Sequence, residues 1–400
     1  MAIYKIFPLQ DTTLYSAYPG LNTGLDSIIE ISNLNPPTSE SANVSRPLIQ
    51  FDQSDIDTVI DNYILTGSMN FSSSLKVFIA DASGVTMPSV IQCYPVSQSW
   101  NNGTGQFLNN PQTKNGCCWY NRLASGSAGG NWGEQGVFNT YSTASYSTIP
   151  GGGTWFYSSG DPTLEMYAEQ TFNVRTSKDI DLNVTDIVKM WYTSSKGVSG
   201  PVGMVDITNE GFILKWSSLD SPDPDGSNNP DIEFNNSLAV QPDYKSYSVD
   251  TNTIYPPCLE IKWDDQKFET GSLPEIATTD LFVALDSNPG VFYSESINRF
   301  RLNVRPEFPP RVYYTRSIDT INHYLNSSSL YAIKDLDTNE FVIDFDKEFT
   351  KISCDANSNY FDVYMNGLEP ERYYQILIQT TISGSTIVKN DDYYFKVING

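Results

Sequence analysis

Along most of this chain apolar and polar residues alternate in short runs that end in Gly, Pro, Asn, Asp or Ser, the period-2 signature of half-buried strands. AIYKIFP (2–8), SIIEIS (27–32), RPLIQFD (46–52), SLKVFIA (74–80), VIQCYPV (90–96), GFILKW (211–216) and CLEIKW (258–263) are the predicted strands of the first two thirds. RFRLNV (299–304), EFVIDF (340–345), YFDVYM (360–365), YQILIQTTI (374–382) and YYFKVI (393–398) follow. A helical period stands out in VTDIVKMW (184–191), where Val184, Ile187, Val188 and Trp191 share a face and Thr185 is placed to cap. The predicted fold class is therefore all-β, built from antiparallel sandwiches.

One stretch breaks the pattern. Between Asp81 and Asp161 the only carboxylate is Glu134, and residues 97–160 hold 12 of the 26 glycines with no strand signal longer than a few residues. A long uncharged segment rich in Tyr, Ser, Gly and Asn has the composition of a contact surface. Its tryptophans are costly to leave in water, which makes Trp100, Trp132 and Trp155, with Tyr141 and Tyr146, the candidate partner-contact residues.

Charge narrows the partners. The net charge is −23, with 28 acids against 12 bases in residues 1–265 and 19 against 12 in 266–400. Nucleic-acid recognition rests on clustered Lys and Arg, so nucleic acid and anionic membrane are not expected partners. Residues 1–9 lack the apolar run of a secretory signal, and no stretch approaches a membrane span, so a soluble, unexported chain is expected. Sequons at Asn43, Asn70, Asn102, Asn183, Asn235 and Asn326 carry meaning only in an exported chain. Cys93, Cys117, Cys118, Cys258 and Cys354 are odd in number and irregularly spaced, which favours reduced thiols over a disulfide framework.

Catalytic and metal signatures are sparse. Adjacent Cys117 and Cys118 in KNGCCWYNR lack the two-to-four-residue spacing of a zinc site, and neighbours on an extended segment point to opposite faces. Burial beside Trp119 is the expectation for them. His323 is the sole histidine, and its segment TINHYLNSS has no nucleophile elbow, so a Ser-His-Asp triad is not expected. The acid gap works against a glycosidase pair, and no enzyme is expected. SPDPDGSNNPDIEF (221–234) places Ser221, Asp223, Asp225 and Gly226 as in a calcium loop, yet Ile232 stands where the bidentate Glu belongs. No cofactor is expected, and Asp223, Asp225 and Asp231 are weak Ca²⁺ candidates.

Ordered motifs carry a resemblance. FPLQDTTLYSAYPGLNTG (with Asp11, Thr12, Asn22 and Gly24), RPLIQFD (Arg46, Leu48, Phe51), YPVSQSWNNG, CCWYNR with Trp119, NWGEQGVFN, DLNVTDIVKMW ending at Trp191, NEGFILK and YPPCLEIKW resemble, in that order, the DNRLRE-type jelly-roll module related to carbohydrate-binding modules. Asn101 and Asn102 follow Trp100 where that family often has an acid. GLEPERYYQILIQTT (367–381) is similar to the L-x-P-x-x-x-Y corner of fibronectin type III domains, carried by Leu368, Pro370 and Tyr374. The resemblances imply a jelly roll over 1–265 with an insertion at about 97–160, then an Ig/fibronectin III-like sandwich over 275–400, with Trp119, Trp191, Leu368, Pro370 and Tyr374 structural. TNTIYPPCLEIKWDD, FPPRVYYTRSIDTIN and DLDTNEFVIDFDKEFTKISCD together resemble structural proteins of contractile-tailed phages of marine cyanobacteria. That implies a non-enzymatic virion protein on the particle exterior, assembled in the host cytoplasm, touching other virion proteins and its own copies. A receptor- or glycan-binding role for the exposed aromatics is the alternative.

Overall fold

The computed structural model describes residues 2–33, 43–64, 70–84, 88–127, 130–133, 140–142, 151–158, 164–172, 179–197, 207–217, 232–233, 242–286, 288–309, 321–390 and 393–400. Tyr146, Asp223, Asp225 and Asp231 lie outside them, and of Tyr141 only the backbone is described. The chain divides into two compact units, Ile6–Glu260 and Met1–Lys5 with Ile261–Gly400.

Strands of the N-terminal part are β1 (Ala2–Ile6), β2 (Gln10–Tyr15), β3 (Ile28–Asn33), β4 (Val44–Gln50), β5 (Phe71–Val77), β6 (Ile79–Ser83), β7 (Ser89–Pro95), β8 (Thr140–Ser142), β9 (Thr154–Phe156), β10 (Ala168–Phe172), β11 (Ile180–Asn183), β12 (Phe212–Trp216), β13 (Asp243–Tyr247) and β14 (Cys258–Trp263). The larger sheet runs β10-β7-β12-β4-β3-β13-β6, with β2 also on β4, and a smaller one runs β14-β5-β11. In β5 the burial alternates as the pattern predicts, Phe71, Ser73, Leu75 and Val77 facing in. Strands β7 and β12 are buried at every position, and β4 at all but its last. Continuous burial means that both faces of the sheet are covered.

Two helices pack together, the Tyr192 hydroxyl of one donating to Asp61 Oδ1 of the other at 2.7 Å, and one of them lies on the sheet. In α2 (Thr185–Ser195), Trp191 packs on Phe212 of β12 with ring centroids 4.7 Å apart. Thr185 is its first residue rather than its cap: the Thr185 N–H donates to Asn183 Oδ1 at 3.1 Å, and Thr185 Oγ1 accepts from Ser73 N–H on β5. Helix α1 (Gln53–Tyr63) was not predicted. Asp52 caps it by accepting the Ser54 N–H at 2.8 Å, and Ile56, Val59 and Ile60 form its buried stripe. All three are β-branched, which blunts a helical signal.

The C-terminal unit holds β15 (Leu281–Asp286), β16 (Val291–Tyr293), β17 (Ile297–Pro306), β18 (Leu330–Asp335), β19 (Phe341–Ile343), β20 (Ser353–Cys354), β21 (Asn359–Tyr364), β22 (Tyr373–Ile382), β23 (Ser385–Lys389) and β24 (Tyr394–Ile398). One sheet is ordered β15-β17-β21-β20 and the other β16-β24-β22-β18-β19, with β23 extending β22 as a hairpin. Lettered along the chain, these are ABED and A′GFCC′, the strand order of an immunoglobulin-type sandwich. Strand β16 closes its sheet in parallel, Val291 opposite Lys396. Between the sheets lies an aromatic stack: Tyr331 on Phe361 at 4.2 Å, Phe361 on Phe300 at 5.5 Å, and Phe395 against Tyr374 at 5.5 Å. The first residues of the chain belong here, because Ile3 joins this core and Asn366 Nδ2 donates to Lys5 O at 2.6 Å. That placement is invisible to a linear boundary at 265.

Tyr374 sits 1% exposed after a sharp corner, and its hydroxyl donates to Glu369 O at 2.9 Å, with Leu368 buried beneath. Replacing a made hydrogen bond by an orphaned carbonyl costs about 1 kcal/mol or somewhat more. Tyr374→Phe is expected to lower stability by that amount in urea unfolding followed by near-UV circular dichroism. An unchanged midpoint would mean that the corner is held by packing alone.

Candidate functional site

The outer face of the large sheet presents Leu14 of β2, Val44 and Leu48 of β4, Tyr94 of β7 and Ile213 of β12. Residues from the uncharged segment cover it: Trp100, Cys117, Trp119, Trp132 and Trp155 pack into one cluster with those strands. Trp100 Nε1 donates to Glu210 O and Trp132 Nε1 to Cys118 O, each at 2.8 Å, and Trp155 forms a bridge with Val96. Trp100, Trp132 and Trp155 are 5%, 5% and 0% exposed. The expectation that they face a partner or a sugar is therefore corrected: the chain buries them against its own sheet. Burying each ring contributes about 1.5–3 kcal/mol, which offsets the entropy of ordering one or two residues of the loop that carries it, about 1–2 kcal/mol each.

Under this cover lies a buried charge network. Arg46, in the middle of β4, makes a two-pronged pair with Glu233, Nε to Oε1 at 2.7 Å and Nη2 to Oε2 at 3.0 Å, both side chains fully out of water. Its Nη1 donates to Gly152 O at 2.7 Å, and its guanidinium lies 5.1 Å from the Trp119 ring centroid and 5.3 Å from that of Trp155. Lys215 of β12, equally buried, approaches Glu233 Oε2 at 3.5 Å and donates to Trp216 O at 2.8 Å. Glu233 is held in place because Ser217 O accepts both its N–H and that of Ile232. Burial alone would push the Glu233 carboxyl up, but the charges of Arg46 and Lys215 and their hydrogen bonds outweigh it and hold it below its usual range. Gly152 adopts φ +84°, and a Cβ there would meet Arg46 Nη1 and the Trp119 ring at 2.7 Å. The network is a clamp that fixes loop to sheet. It has no access to solvent, so it is not a reaction centre.

The adjacent cysteines belong to the same cover. The N–H of Cys117 donates to Asn101 O and that of Cys118 to Asn121 O, each at 2.7 Å, and both thiols are buried and free. Burial, aided by the neighbouring Cys118, pushes the Cys117 thiol far above its usual range, the opposite of a reactive cysteine. His323 donates its backbone N–H to Val304 O and turns Nδ1 toward Ile321 O. Among the described residues, no group of three or more His, Cys, Asp or Glu is arranged to hold a metal ion, and no helix is long and apolar enough to cross a membrane.

What the cover leaves outside is an apex. Fully buried Asn22 donates to Asn102 O at 2.6 Å and Cys117 O at 2.7 Å and accepts from Gly105 N–H at 2.7 Å, stitching the 16–26 turn to the loop. Gly24 has no room for a side chain, since a Cβ would lie 1.9 Å from Asn102 O. The Leu25 N–H donates to Gly105 O, the Phe107 N–H to the Asp26 carboxylate and the Tyr120 N–H to Pro19 O. On this scaffold Tyr18, Phe107, Leu108 and Tyr120 stand 50%, 41%, 90% and 42% exposed. Phe107 meets Tyr15 and Tyr18 edge-on at 5.3 and 5.6 Å. Residues 97–133 contain only two charges, Lys114 and Arg122. The alternation of apolar and polar positions does not single out these four residues. The available signal was Phe107-Leu108, a large apolar pair set among Gly, Gln and Asn.

Beside the apex, Asp11 is 1% exposed and accepts the Val249 N–H at 2.7 Å. Burial pushes its carboxyl up to about 7; the Val249 N–H opposes the shift and the charge of Asp250 adds to it.

No family model matches the chain, and no curated protein matches it. Among solved structures it is similar to a DUF4785 family protein from Legionella pneumophila, at 8% identity and TM-score 0.18, over 99% of this chain and 62% of that one. It is also similar to a beta-glucuronidase from Parabacteroides merdae, at 7% identity and TM-score 0.16, over 96% of this chain and 36% of that one. This chain thus spans less than two thirds of either protein. At these scores neither likeness carries an argument about fold or activity.

Glu233→Gln leaves two buried cations facing a neutral amide and is expected to cost about 3–5 kcal/mol in chemical unfolding. A loss below about 1 kcal/mol would show that the network does not hold the cover. Asp11 gives the opposite pH signature to a paired acid. Its unfolded carboxyl titrates near 3.8 and its folded one at about 7, so the folded state holds the extra proton between those values and stability falls as pH rises through them. Asp11→Asn, which keeps an acceptor for Val249, is expected to flatten that part of the urea-midpoint profile. An identical slope in the variant would refute the assignment.

Proposed function

We propose that this chain is a non-enzymatic structural or adaptor protein on the exterior of a tailed-phage virion, at the neck, collar, tail or head surface, and that the Tyr18–Phe107–Leu108–Tyr120 apex is where it docks on another virion subunit. In this reading the N-terminal unit is a jelly roll, the C-terminal unit a fibronectin III-like domain, and assembly takes place in the host cytoplasm, where five buried thiols stay reduced.

The observation that carries the reading is the apex itself: aromatic and apolar side chains held outward by a hydrogen-bonded, glycine-tight scaffold, on a segment whose residues 97–133 carry only Lys114 and Arg122, in a chain of net charge −23. Interface centres are poor in charge and rich in aromatic residues, and a pre-organised surface loses little entropy on binding. The exposed surface of the neutral segment is thus the contact, with Phe107, Leu108 and Tyr120 in the part first assigned to the tryptophans. The strongly acidic remainder disfavours DNA as the partner.

A second reading, receptor or glycan binding, draws on the same place. Tyr18 and Tyr120 are the half-exposed rings on which a sugar could stack, a role that the buried indoles cannot fill.

A photoreactive residue at position 108 in assembled particles is expected to cross-link to another virion protein. Burying Phe107 and Leu108 contributes about 1.5–3 kcal/mol each, and 1.4 kcal/mol is a factor of ten. Phe107→Ser with Leu108→Asp should therefore cut incorporation into particles at least tenfold. Full incorporation of the double variant would overturn the proposal, and cross-links confined to host-surface polysaccharide would replace it by the glycan reading.

A further inference from the structure

The two outer faces of the C-terminal sandwich are built differently. On the ABED face Arg299 makes a two-pronged pair with Asp362 at 2.8 Å, Arg301 pairs with Asp355 at 2.8 Å, and Tyr360 lies against both guanidinium groups. On this face the rings are matched by charges, Arg305 also lying 4.8 Å from the Phe282 centroid, and Ile297 stands 47% exposed at its end. Register places a different set on the outside of the A′GFCC′ sheet. Val291 lies opposite Lys396, Lys396 opposite Tyr373, and Tyr394 opposite Gln375, which faces Lys334 and then Phe341. Tyr293 continues the β16 row, and the Leu336 N–H donates to Tyr373 O beyond β18.

Val291, Tyr293, Leu336, Phe341, Tyr373 and Tyr394 are each between 40% and 61% exposed on this one face. The outward positions of β16, β24, β22 and β18 include no carboxylate, in a chain with 47 acids and 24 bases. Its cations lie flat on its own rings: Lys334 Nζ is 5.7 Å from the Phe341 centroid and Lys396 Nζ 5.8 Å from that of Tyr373, with Glu371 at the rim pairing Lys396.

We propose that the outer face of the A′GFCC′ sheet is a self-association surface, covered by the same face of a second copy of this chain. Two features select that occupant. The face holds both halves of a cation–aromatic pairing, two lysines and four rings, so a two-fold contact offers each lysine a second ring on the other copy. Two copies that each carry −23 also meet at least electrostatic cost where carboxylates are missing. Five strands about 4.8 Å apart and five residues about 3.4 Å long give a patch of roughly 20 by 17 Å. That falls short of the roughly 800 Å² per partner of a standard stable interface, so the dimer is weak and becomes significant at the high local concentration of an assembly. This surface is separate from the apex and does not depend on it.

The experiment is analytical ultracentrifugation of the full chain over a range of concentrations at low and high salt. Repulsion between like net charges weakens as the Debye length shrinks from about 30 Å at 0.01 M to about 10 Å at 0.1 M, so a second copy binds several-fold tighter at high salt. Tyr373→Glu should weaken the dimer at least tenfold, and Ile297→Glu on the ABED face should leave it unchanged, with thermal unfolding confirming that both variants fold. In the wild type, hydroxyl-radical labelling of Tyr293, Tyr373 and Tyr394 should fall as concentration rises. A chain monomeric at every concentration would overturn the proposal, as would a dimer that persists in Tyr373→Glu. An association loosened by salt would do so too, because it would point to an acidic partner surface in place of a like face.

Discussion

Arg46 stands in the middle of a central strand with its guanidinium wholly out of water, and the structure laid over that side of the sheet makes this tolerable. A lone buried charge is prohibitive, and a buried pair is sustained only when nearly every donor is matched. Here Glu233 takes two donors, Gly152 O a third, and two indole rings flank the cation. Those partners lie 187 and 106 residues away along the chain. One side chain thus ties two distant loops to the sheet, and the four buried tryptophans follow from where those loops must run.

The division of labour along residues 97–133 comes from this constraint. Apolar rings needed to seal the network point inward, and short polar residues and glycines allow the close backbone approaches at Gly24, Gly103, Gly105 and Gly116. What is left for the outside is a neutral rim with Phe107, Leu108 and Tyr120. Rigidity and exposure therefore arise together. A patch fixed by buried hydrogen bonds needs no further ordering when a partner arrives.

Much of the architecture was legible because it is local. Period-2 alternation located the strand Tyr373–Ile382 to within a residue, whereas the run read over 74–80 joins the end of Phe71–Val77 to the start of Ile79–Ser83, and the Tyr374 corner was readable because its hydroxyl reaches only five residues back. Arg46 was not legible as a core residue, since nothing in RPLIQFD says that a segment a hundred residues later will cover it. The tryptophans carried a true but incomplete signal: their composition required burial, while the identity of the burying surface is a tertiary fact. Asn22 and Gly24 were visible as motif positions, yet their work, three hydrogen bonds and one close approach, appears only when the turn meets the loop. Helix α1 escaped although Ile56, Val59 and Ile60 have helical spacing, because the stripe is short and all three residues are β-branched. The contrast between the two outer faces of the C-terminal sandwich needed the strand order, which no linear pattern contains.

Hydrogen exchange of the isolated monomer tests most directly the claim that the neutral segment is fastened to its own sheet before any partner is present. The amides of Asn101, Cys117, Cys118, Arg122, Trp132 and Gly152 donate to backbone carbonyls within the cover and are predicted to exchange slowly, in the range of the β4 amides. Exchange of those six at the rate of open coil, with β4 still protected, would contradict the account.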